Sequence, residues 1–326
     1  MTTVARVDVS DESAFAEFYA VYARSYPRPF DGPWLAMEKR VNLTDDEYGT
    51  RIAVLARADD GAAVGGGWVV MPRLDNTRIG FVEAFVVPEH CRRGHGSAVL
   101  DVVVGIARAS GRSTAFAEPV WDVDADGDAG RWFAEAHGFE LDFMDAVREL
   151  PLPAELPPLV VDPAYQLETW RGPCPQEWVE QYADLRRILT QEAPSGDAGL
   201  ENEHWDAARV RKDEADLVRV GREMQVVVAR SASGELAGHT QLAFPSDGTE
   251  VYQWDTLVRS AHRGHGLGLA LKIRAMQASA DLLAGRRRVT TYNAASNTHM
   301  IAVNEKLGFR QTAWAGEFVR PLQAAE

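Results

Sequence analysis

One glycine-rich segment occurs twice in this chain and constrains the fold more than any other feature. Residues 258–271 read VRSAHRGHGLGLAL and residues 86–100 read VVPEHCRRGHGSAVL, so that Gly266 aligns with Gly94. In each copy an extended apolar run leads into a basic glycine turn, and a run with helical spacing follows. Backbone N–H groups at a glycine turn that opens a helix attract anions. The sequence therefore predicts two related domains, each with a potential phosphate-binding turn.

A proline-rich segment separates the two copies. Residues 151–163 read PLPAELPPLVVDP, and their five prolines restrict the backbone and remove hydrogen-bond donors. A chain of 326 residues is long enough for about two domains, each with its own core. We therefore expect an N-terminal domain at 1–150, a linker at 151–163 and a C-terminal domain at 164–326.

Both halves show the same order of elements, which indicates a duplicated α/β (α+β) domain rather than a short structural repeat. In the first half, helices are expected at 12–23, 33–46 and 128–137 and from the glycine turn to about 109, with strands at 51–58, 63–71, 79–87, 113–117 and 139–149. In the second half, helices are expected at 176–190, 202–218 and 296–307 and from the glycine turn to about 283, with strands at 224–230, 235–244, 251–258 and 288–292 and one from 309.

Charge and cysteine content limit the partners and the compartment. The formal net charge of −14 argues against non-specific binding to nucleic acid or to anionic membranes. Residues 1–10 lack the features of a signal peptide, and no apolar run reaches the 18 residues of a membrane span. We expect Cys91 and Cys174 to be free thiols in a cytoplasmic protein that is a monomer or a homodimer.

The chemistry of the glycine turn differs from that of common nucleotide sites. A turn of the form R-x-x-G-x-G suits a pyrophosphate, because glycine lets the backbone approach the ligand and arginine adds charge. No G-K-[ST] follows it, which excludes a P-loop. The G-x-G-x-x-G pattern with a later acidic residue is also missing, which disfavours a Rossmann dinucleotide site.

The motif and its surroundings resemble the GCN5-related N-acetyltransferase (GNAT) superfamily, which moves acyl groups from acyl-CoA to amines. Val258, Arg263, Gly266 and Gly268 match the family pattern, although the family's proline is missing. Residues 291–309, TYNAASNTHMIAVNEKLGF, resemble the family's second CoA-contacting strand, its following helix and its L-G-F ending; residues 130–140 are a weaker version. The resemblance implies two tandem GNAT-like domains, each a mixed, mostly antiparallel sheet flanked by helices.

The resemblance also implies an acyl-CoA site in the second half and no metal. Its expected contacts are the glycine turn, the end of the strand before it, and three asparagines: Leu257, Val258, Arg263, Gly264, His265, Gly266, Leu267, Gly268, Asn293, Asn297 and Asn304. For Asn297 the alternative is a helix N-terminal cap.

The general acid and base are less clearly marked. Many family members have a tyrosine where this chain has Asn304, and where the first half has Ala134; neither residue can deliver a proton. Tyr292 or Tyr252 could serve instead, or the thiolate leaves unprotonated, since a thiol pKa is about 8.5.

Carboxylates on the strand before each glycine turn are the candidate bases. Asp255 and Glu83 hold matching places three residues before Val258 and Val86, and Glu250 lies farther along the same strand, with Tyr252 between. The alternative for each carboxylate is a polar strand residue without a catalytic role. Asp255 is the preferred base.

Two other clusters resemble metal sites. His262 and His265 form H-x-x-H within the glycine turn, where histidines that face solvent or phosphate are expected. Residues 122–127 resemble the start of an EF-hand loop, but position twelve is Phe133 instead of a bidentate glutamate. We expect no metal at either cluster.

The sequence therefore predicts an acetyl-CoA-dependent N-acetyltransferase that acts on a small-molecule amine by direct attack in a ternary complex. The C-terminal domain is the expected catalyst, and the N-terminal domain is expected to be degenerate and structural. Two alternatives stay open. One is a mycothiol-synthase-like or antibiotic-tailoring tandem acetyltransferase, and the other is a non-catalytic acyl-CoA-binding or regulatory protein.

Overall fold

The computed structural model describes residues 1–26, 33–192, 194, 196–197, 199–246 and 248–323. The chain divides into two compact units. Unit 1 comprises Met1–Met144, Gly196–Glu201 and Trp314–Glu326, and unit 2 comprises Asp145–Ser195 and Asn202–Ala313.

The described residues form strands and helices in alternating groups. The strands are β1 (Thr3–Val7), β2 (Gly49–Arg57), β3 (Ala63–Pro72), β4 (Ile79–Val86), β5 (Thr114–Ala117), β6 (Val120–Asp122), β7 (Glu140–Pro151), β8 (Tyr165–Arg171), β9 (Glu223–Ser231), β10 (Leu236–Phe244), β11 (Glu250–Val258), β12 (Arg288–Ala294) and β13 (Arg310–Pro321). The α-helices are α1 (Glu12–Arg24), α2 (Ala36–Asn42), α3 (His95–Ala109), α4 (Ala129–Ala136), α5 (Val179–Glu192), α6 (Ala207–Arg219), α7 (Leu267–Ala278), α8 (Ala280–Leu283) and α9 (Thr298–Leu307).

Each unit contains a mostly antiparallel sheet with one parallel pair. In unit 1, β1 to β4 pair antiparallel in chain order, and β4 then pairs parallel with β5. In unit 2, β8 to β11 pair antiparallel in chain order, and β11 pairs parallel with β12. Helix α3 packs on the sheet of unit 1, and α7 packs on that of unit 2. The predicted α/β class, with two mixed, mostly antiparallel sheets flanked by helices, is confirmed.

The last strand of each sheet comes from the other half of the sequence. In unit 2, residues 145–151 of β7 pair with β12, from Asp145 opposite Ala294 to Pro151 opposite Arg288. In unit 1, residues 318–321 of β13 pair with β5. The proline-rich segment 151–163 lies in unit 2, where Leu152, Leu156 and Leu159 pack against the core. The expected domain boundaries stay a prediction, and the compact units differ from them by these exchanged strands and by residues 196–201, which belong to unit 1.

Three short or edge strands escaped the sequence analysis. Strands β1 and β8 stand at the ends of the strand order, and edge strands carry more polar residues, so their alternation is weak. Strand β6 is only three residues long. The helix expected at 33–46 is also shorter and spans Ala36–Asn42. Within the described part of the chain, no helix is long and apolar enough to cross a membrane.

Candidate functional site

Each parallel strand pair separates beyond a short stretch of pairing. Strand β11 pairs with β12 only at residues 250–252 with 288–290, and β4 pairs with β5 only at 79–81 with 114–116. The register of β10 against β11 shifts between Thr240 and Leu242, which marks a bulge. The opening between the strands therefore lies at their carboxyl ends, where the glycine turns follow.

Both glycine turns present an uncapped helix N-terminus. The N-cap residue of α7 is Gly266, with φ +70°, and that of α3 is Gly94, with φ +84°. In neither helix does a side chain accept a hydrogen bond from the N-terminal backbone N–H groups. A second left-handed position precedes each cap, at Gly264 and at Arg92. Since the first N–H groups of a helix lack intrahelical partners, both turns can bind an anion through backbone donors.

The side chains of the second turn contact carboxylates. Arg263 donates from Nε to the Val258 carbonyl at 3.2 Å, and its guanidinium pairs with Glu192. His265 Nδ1 lies 2.6 Å from Asp162 Oδ2. A hydrogen bond from the Ala164 backbone, followed by that from His265, holds the pKa of the Asp162 carboxyl below its usual value. A bound pyrophosphate would compete with Glu192 and Asp162 for these two basic side chains.

The predicted asparagine contacts divide between two roles. Asn297 Oδ1 accepts from the Met300 backbone N–H at 3.1 Å and caps α9, which is the alternative considered for it. Asn304 and Asn293 are joined, since Asn304 Nδ2 donates to Asn293 Oδ1 at 2.5 Å. Lys272 Nζ donates to Asn304 Oδ1 at 2.8 Å. Sequence analysis missed Lys272 because it lies in the apolar helical run of α7.

Asp255, the preferred base, takes part in a partly buried ion-pair group. Its Oδ2 lies 3.0 Å from Arg186 Nε, and Arg186 Nη1 lies 3.1 Å from Asp213 Oδ2. The guanidinium of Arg186 also lies 3.9 Å from the centre of the Trp205 ring. Burial acts to lower the pKa of Arg186, but the charge of Asp255, and then those of Tyr182 and Asp213, outweigh it and raise the value.

The other unit 2 candidates lie on the same strand or beside it. Glu250 pairs with Arg288, whose Nη1 lies 2.9 Å from Glu149 Oε1, so the three residues form an ion-pair group where β11 and β12 still pair. Tyr252 is half-buried, and the Arg222 guanidinium lies 5.5 Å from the centre of its ring. The Tyr292 side chain is exposed.

A cleft of about 600 Å³ opens at the first glycine turn, entirely within unit 1. Glu83 lines it and accepts a hydrogen bond from the Tyr26 hydroxyl at 2.8 Å. Leu100 and Ala134, which align with Lys272 and Asn304, also line this cleft. Tyr26 was missed because it lies 57 residues from Glu83 in the sequence.

No cluster of three or more potential metal ligands occurs within the described ranges. In the acidic loop, Asp122 Oδ1 accepts from the Asp124 backbone N–H at 2.9 Å, and Asp128 caps α4. Cys91 and Cys174 are free thiols, as predicted. Burial raises the pKa of Cys174 to about 12, so this thiol stays protonated at neutral pH.

Comparison with known proteins agrees with this fold. A protein-family model described as the acetyltransferase (GNAT) family matches residues 182–309. A tandem GNAT protein from the clavulanic acid biosynthesis pathway shares the fold with a TM-score of 0.84 at 23% identity, covering 100% of both chains. A GCN5-related N-acetyltransferase from Sphaerobacter thermophilus gives a TM-score of 0.68 at 16% identity, covering 98% of this chain and 95% of the other.

A third solved structure, a putative acetyltransferase from Pyrococcus horikoshii, gives a TM-score of 0.58 at 14% identity and covers 100% of this chain and 91% of the other. A search of the curated proteins gives no match. The match to the acetyltransferase (GNAT) family model therefore covers residues 182–309, and the whole chain shares its fold with a tandem GNAT protein.

Proposed function

We propose that this protein is an N-acetyltransferase that transfers the acetyl group of acetyl-CoA to the amine of a small molecule, with unit 2 as the catalyst. One observation carries the proposal: the glycine turn of α7 has no side-chain cap and follows β11 at the end where β11 separates from β12, inside the region that matches the GNAT family model. The turn would hold the pyrophosphate, and the opening between the strands would admit the pantetheine arm.

The reaction needs a polarised thioester and a neutral amine. In the proposed mechanism, the backbone N–H of Val258 polarises the thioester carbonyl, and Asp255 accepts the proton from the amine. The amine attacks directly, the C–S bond breaks, and the electron pair leaves on the CoA sulfur. Because Arg186 contacts Asp255, the acceptor must share that carboxylate with the guanidinium during proton transfer.

The proposed acceptor is a small amine in a cytoplasmic reaction. The net charge of −14 suits a cationic acceptor and disfavours nucleic acid as a partner. The similarity to a tandem GNAT protein of the clavulanic acid pathway supports a metabolite acceptor rather than a protein. The enzyme would act as a monomer or homodimer and needs no metal in this mechanism.

The test is release of CoA from acetyl-CoA over a panel of amines, combined with matched glycine variants. Gly266→Glu adds a carboxylate at the second turn, and Gly94→Glu adds one at the first. Both glycines have positive φ and no heavy atom within 4 Å of an added Cβ, so the two variants carry similar backbone strain.

Gly266→Asn controls for that strain, because asparagine tolerates the left-handed region and adds no charge. We expect Gly266→Glu to abolish turnover while Gly266→Asn and Gly94→Glu retain most of it. Tight binding of acetyl-CoA without turnover of any amine would overturn the enzymatic proposal. Loss of turnover only in Gly94→Glu would move the catalyst to unit 1.

A second candidate function is acyl-CoA binding without catalysis, and the cleft of unit 1 favours it. A volume of about 600 Å³ lies within the range of about 300–1,000 Å³ that is usual for ligand sites. Leu100 and Ala134 offer no proton donor there. Calorimetry should then give two acetyl-CoA per chain and one for Gly94→Glu; one site in both proteins would exclude this function.

A further inference from the structure

Lys272 is a lysine buried in the apolar interior of unit 2. It lies on α7, and only 1% of its surface is exposed. Among the described residues, no carboxylate pairs with it, and the groups that face its Nζ are the Asn304 amide and, at 5.8 Å, the ring of Phe309. Burial alone lowers its pKa to about 7. Lysine is almost never fully buried without an ion-pair partner, so this position needs an explanation.

The hydrogen bond that Lys272 donates fixes the orientation of the Asn304 amide, which in turn fixes that of the Asn293 amide. A lysine ammonium has only donors, so Asn304 must present its oxygen to Nζ and its NH₂ group to the next acceptor. That acceptor is Asn293 Oδ1, at 2.5 Å from Asn304 Nδ2. Asn293 must therefore direct its own NH₂ group away from Asn304. The chain Lys272–Asn304–Asn293, here called the amide relay, has one direction.

The far end of the relay lies where the strands separate. Asn293 is half-buried on β12, three residues beyond the last position, Thr290, that pairs with β11. Asn304 is completely buried and therefore cannot reach a ligand itself. Of the three residues, Asn293 is the one whose side chain is partly exposed, and it lies on the strand that borders the opening between β11 and β12.

The corresponding positions of unit 1, which the structure describes, carry no such relay. Leu100 takes the place of Lys272, and Ala134 takes the place of Asn304, and both side chains line the cleft of that unit. The same helical framework therefore folds with an apolar pair at these positions. The polar chain of unit 2 is not a requirement of the fold, which points to a role in that unit alone.

We propose that Lys272 is a positioning residue for acetyl transfer, which acts through Asn304 to fix Asn293 as a hydrogen-bond donor toward the sulfur of acyl-CoA. The inference rests on the proposed function of unit 2. When the amine nitrogen attacks the thioester carbon, the C–S bond breaks and its electron pair goes to sulfur. The fixed Asn293 N–H stabilises the thiolate, and the charge of Lys272 polarises the relay in the same sense.

The test uses a variant that copies unit 1. Lys272→Leu combined with Asn304→Ala gives the apolar pair of unit 1, and a thermal melt establishes that it folds. We expect kcat to fall by roughly tenfold to a hundredfold with a smaller change in KM for acetyl-CoA. In the wild type kcat should decline above about pH 7, as Lys272 loses its proton, and the variant should lack this decline.

A binding measurement separates failure of this inference from failure of the proposed function. Affinity for CoA should be about tenfold lower in the double variant than in the wild type, whether or not any amine is acetylated. If the wild type acetylates no amine but the double variant still binds CoA about tenfold more weakly, the relay is supported and the proposed catalysis is rejected. A folded double variant with unchanged CoA affinity, or with wild-type kcat and pH profile, would overturn the role of Lys272. If the double variant does not fold, the same measurements of CoA affinity, kcat and pH profile are made on Lys272→Met.

Discussion

Arg186 Nε lies 3.0 Å from Asp255 Oδ2, which joins α5 to the strand that carries the proposed base. Asp213 on α6 contacts the same guanidinium, so one arginine is shared by two carboxylates and the group carries one net negative charge. A net negative charge attracts an ammonium, and Asp255 lies on β11 beyond the residues that pair with β12. The two aspartates therefore make a matched pair for testing the base.

We expect Asp255→Asn to lower kcat/KM for the amine by about a hundredfold or more, because amide cannot accept the amine proton. Asp213→Asn removes the other carboxylate from Arg186 and should leave most of the activity. Steady-state kinetics with the best amine of the panel measures both. Equal losses in the two variants would show that Asp255 acts only as an ion-pair partner.

Arg186 should contribute strongly to folding stability. Arg186→Met leaves two partly exposed carboxylates without their shared cation, so the expected cost lies between about 1 kcal/mol for an exposed pair and about 3–5 kcal/mol for a buried one. The stacking on Trp205 would be lost as well. Urea denaturation measures the change in the free energy of unfolding. A loss below about 1 kcal/mol would mean that the pair behaves as an exposed one.

The parts of the fold that sequence predicted are those governed by local patterns. Apolar periodicity and glycine turns gave the sheets, the helices that follow the turns and the GNAT resemblance, since each signal lies within one element. The exchanged strands were not predicted, because the partner of β5 or β12 depends on contacts that span the chain. For the same reason the sequence singled out Asp255 but not Arg186, which lies 69 positions earlier.

The exchanged strands predict a crossed pattern of local stability. Phe318 is fully buried in the core of unit 1, although it belongs to the last strand of the chain, and Leu150 is buried in the core of unit 2. Phe318→Ala should cost about 3–5 kcal/mol and Leu150→Ala about 2–5 kcal/mol. Hydrogen exchange should report loss of protection at β5 for the first variant and at β12 for the second. Protection lost at β12 in Phe318→Ala would contradict the observed pairing.

His239 should make the protein sensitive to acid. It is fully buried on β10, and burial, followed by the charges of Arg186 and Arg259, lowers its pKa from 6.5 to about 3. Below pH 6.5 the unfolded chain binds a proton that the folded chain does not, so stability falls as the pH drops from about 6.5 toward 3. His239→Gln cannot bind that proton and should flatten this part of a stability–pH curve measured by urea denaturation. An unchanged slope would exclude His239 as the cause.

Lys272 should act in the alkaline range, and there too stability should rise with pH, because burial lowers its pKa as it does that of His239. Its pKa is about 7 in the folded protein, against 10.5 for an exposed lysine. Between these values the unfolded chain binds a proton that the folded chain has lost, so stability should rise as the pH increases from about 7 toward 10.5. Lys272→Met removes the proton from both states and should remove that rise, while Lys306→Met on the exposed surface of α9 serves as the control. Unfolding free energies at pH 7, 8 and 9 measure the effect, and parallel curves for Lys272→Met and wild type would show that Lys272 keeps an ordinary pKa.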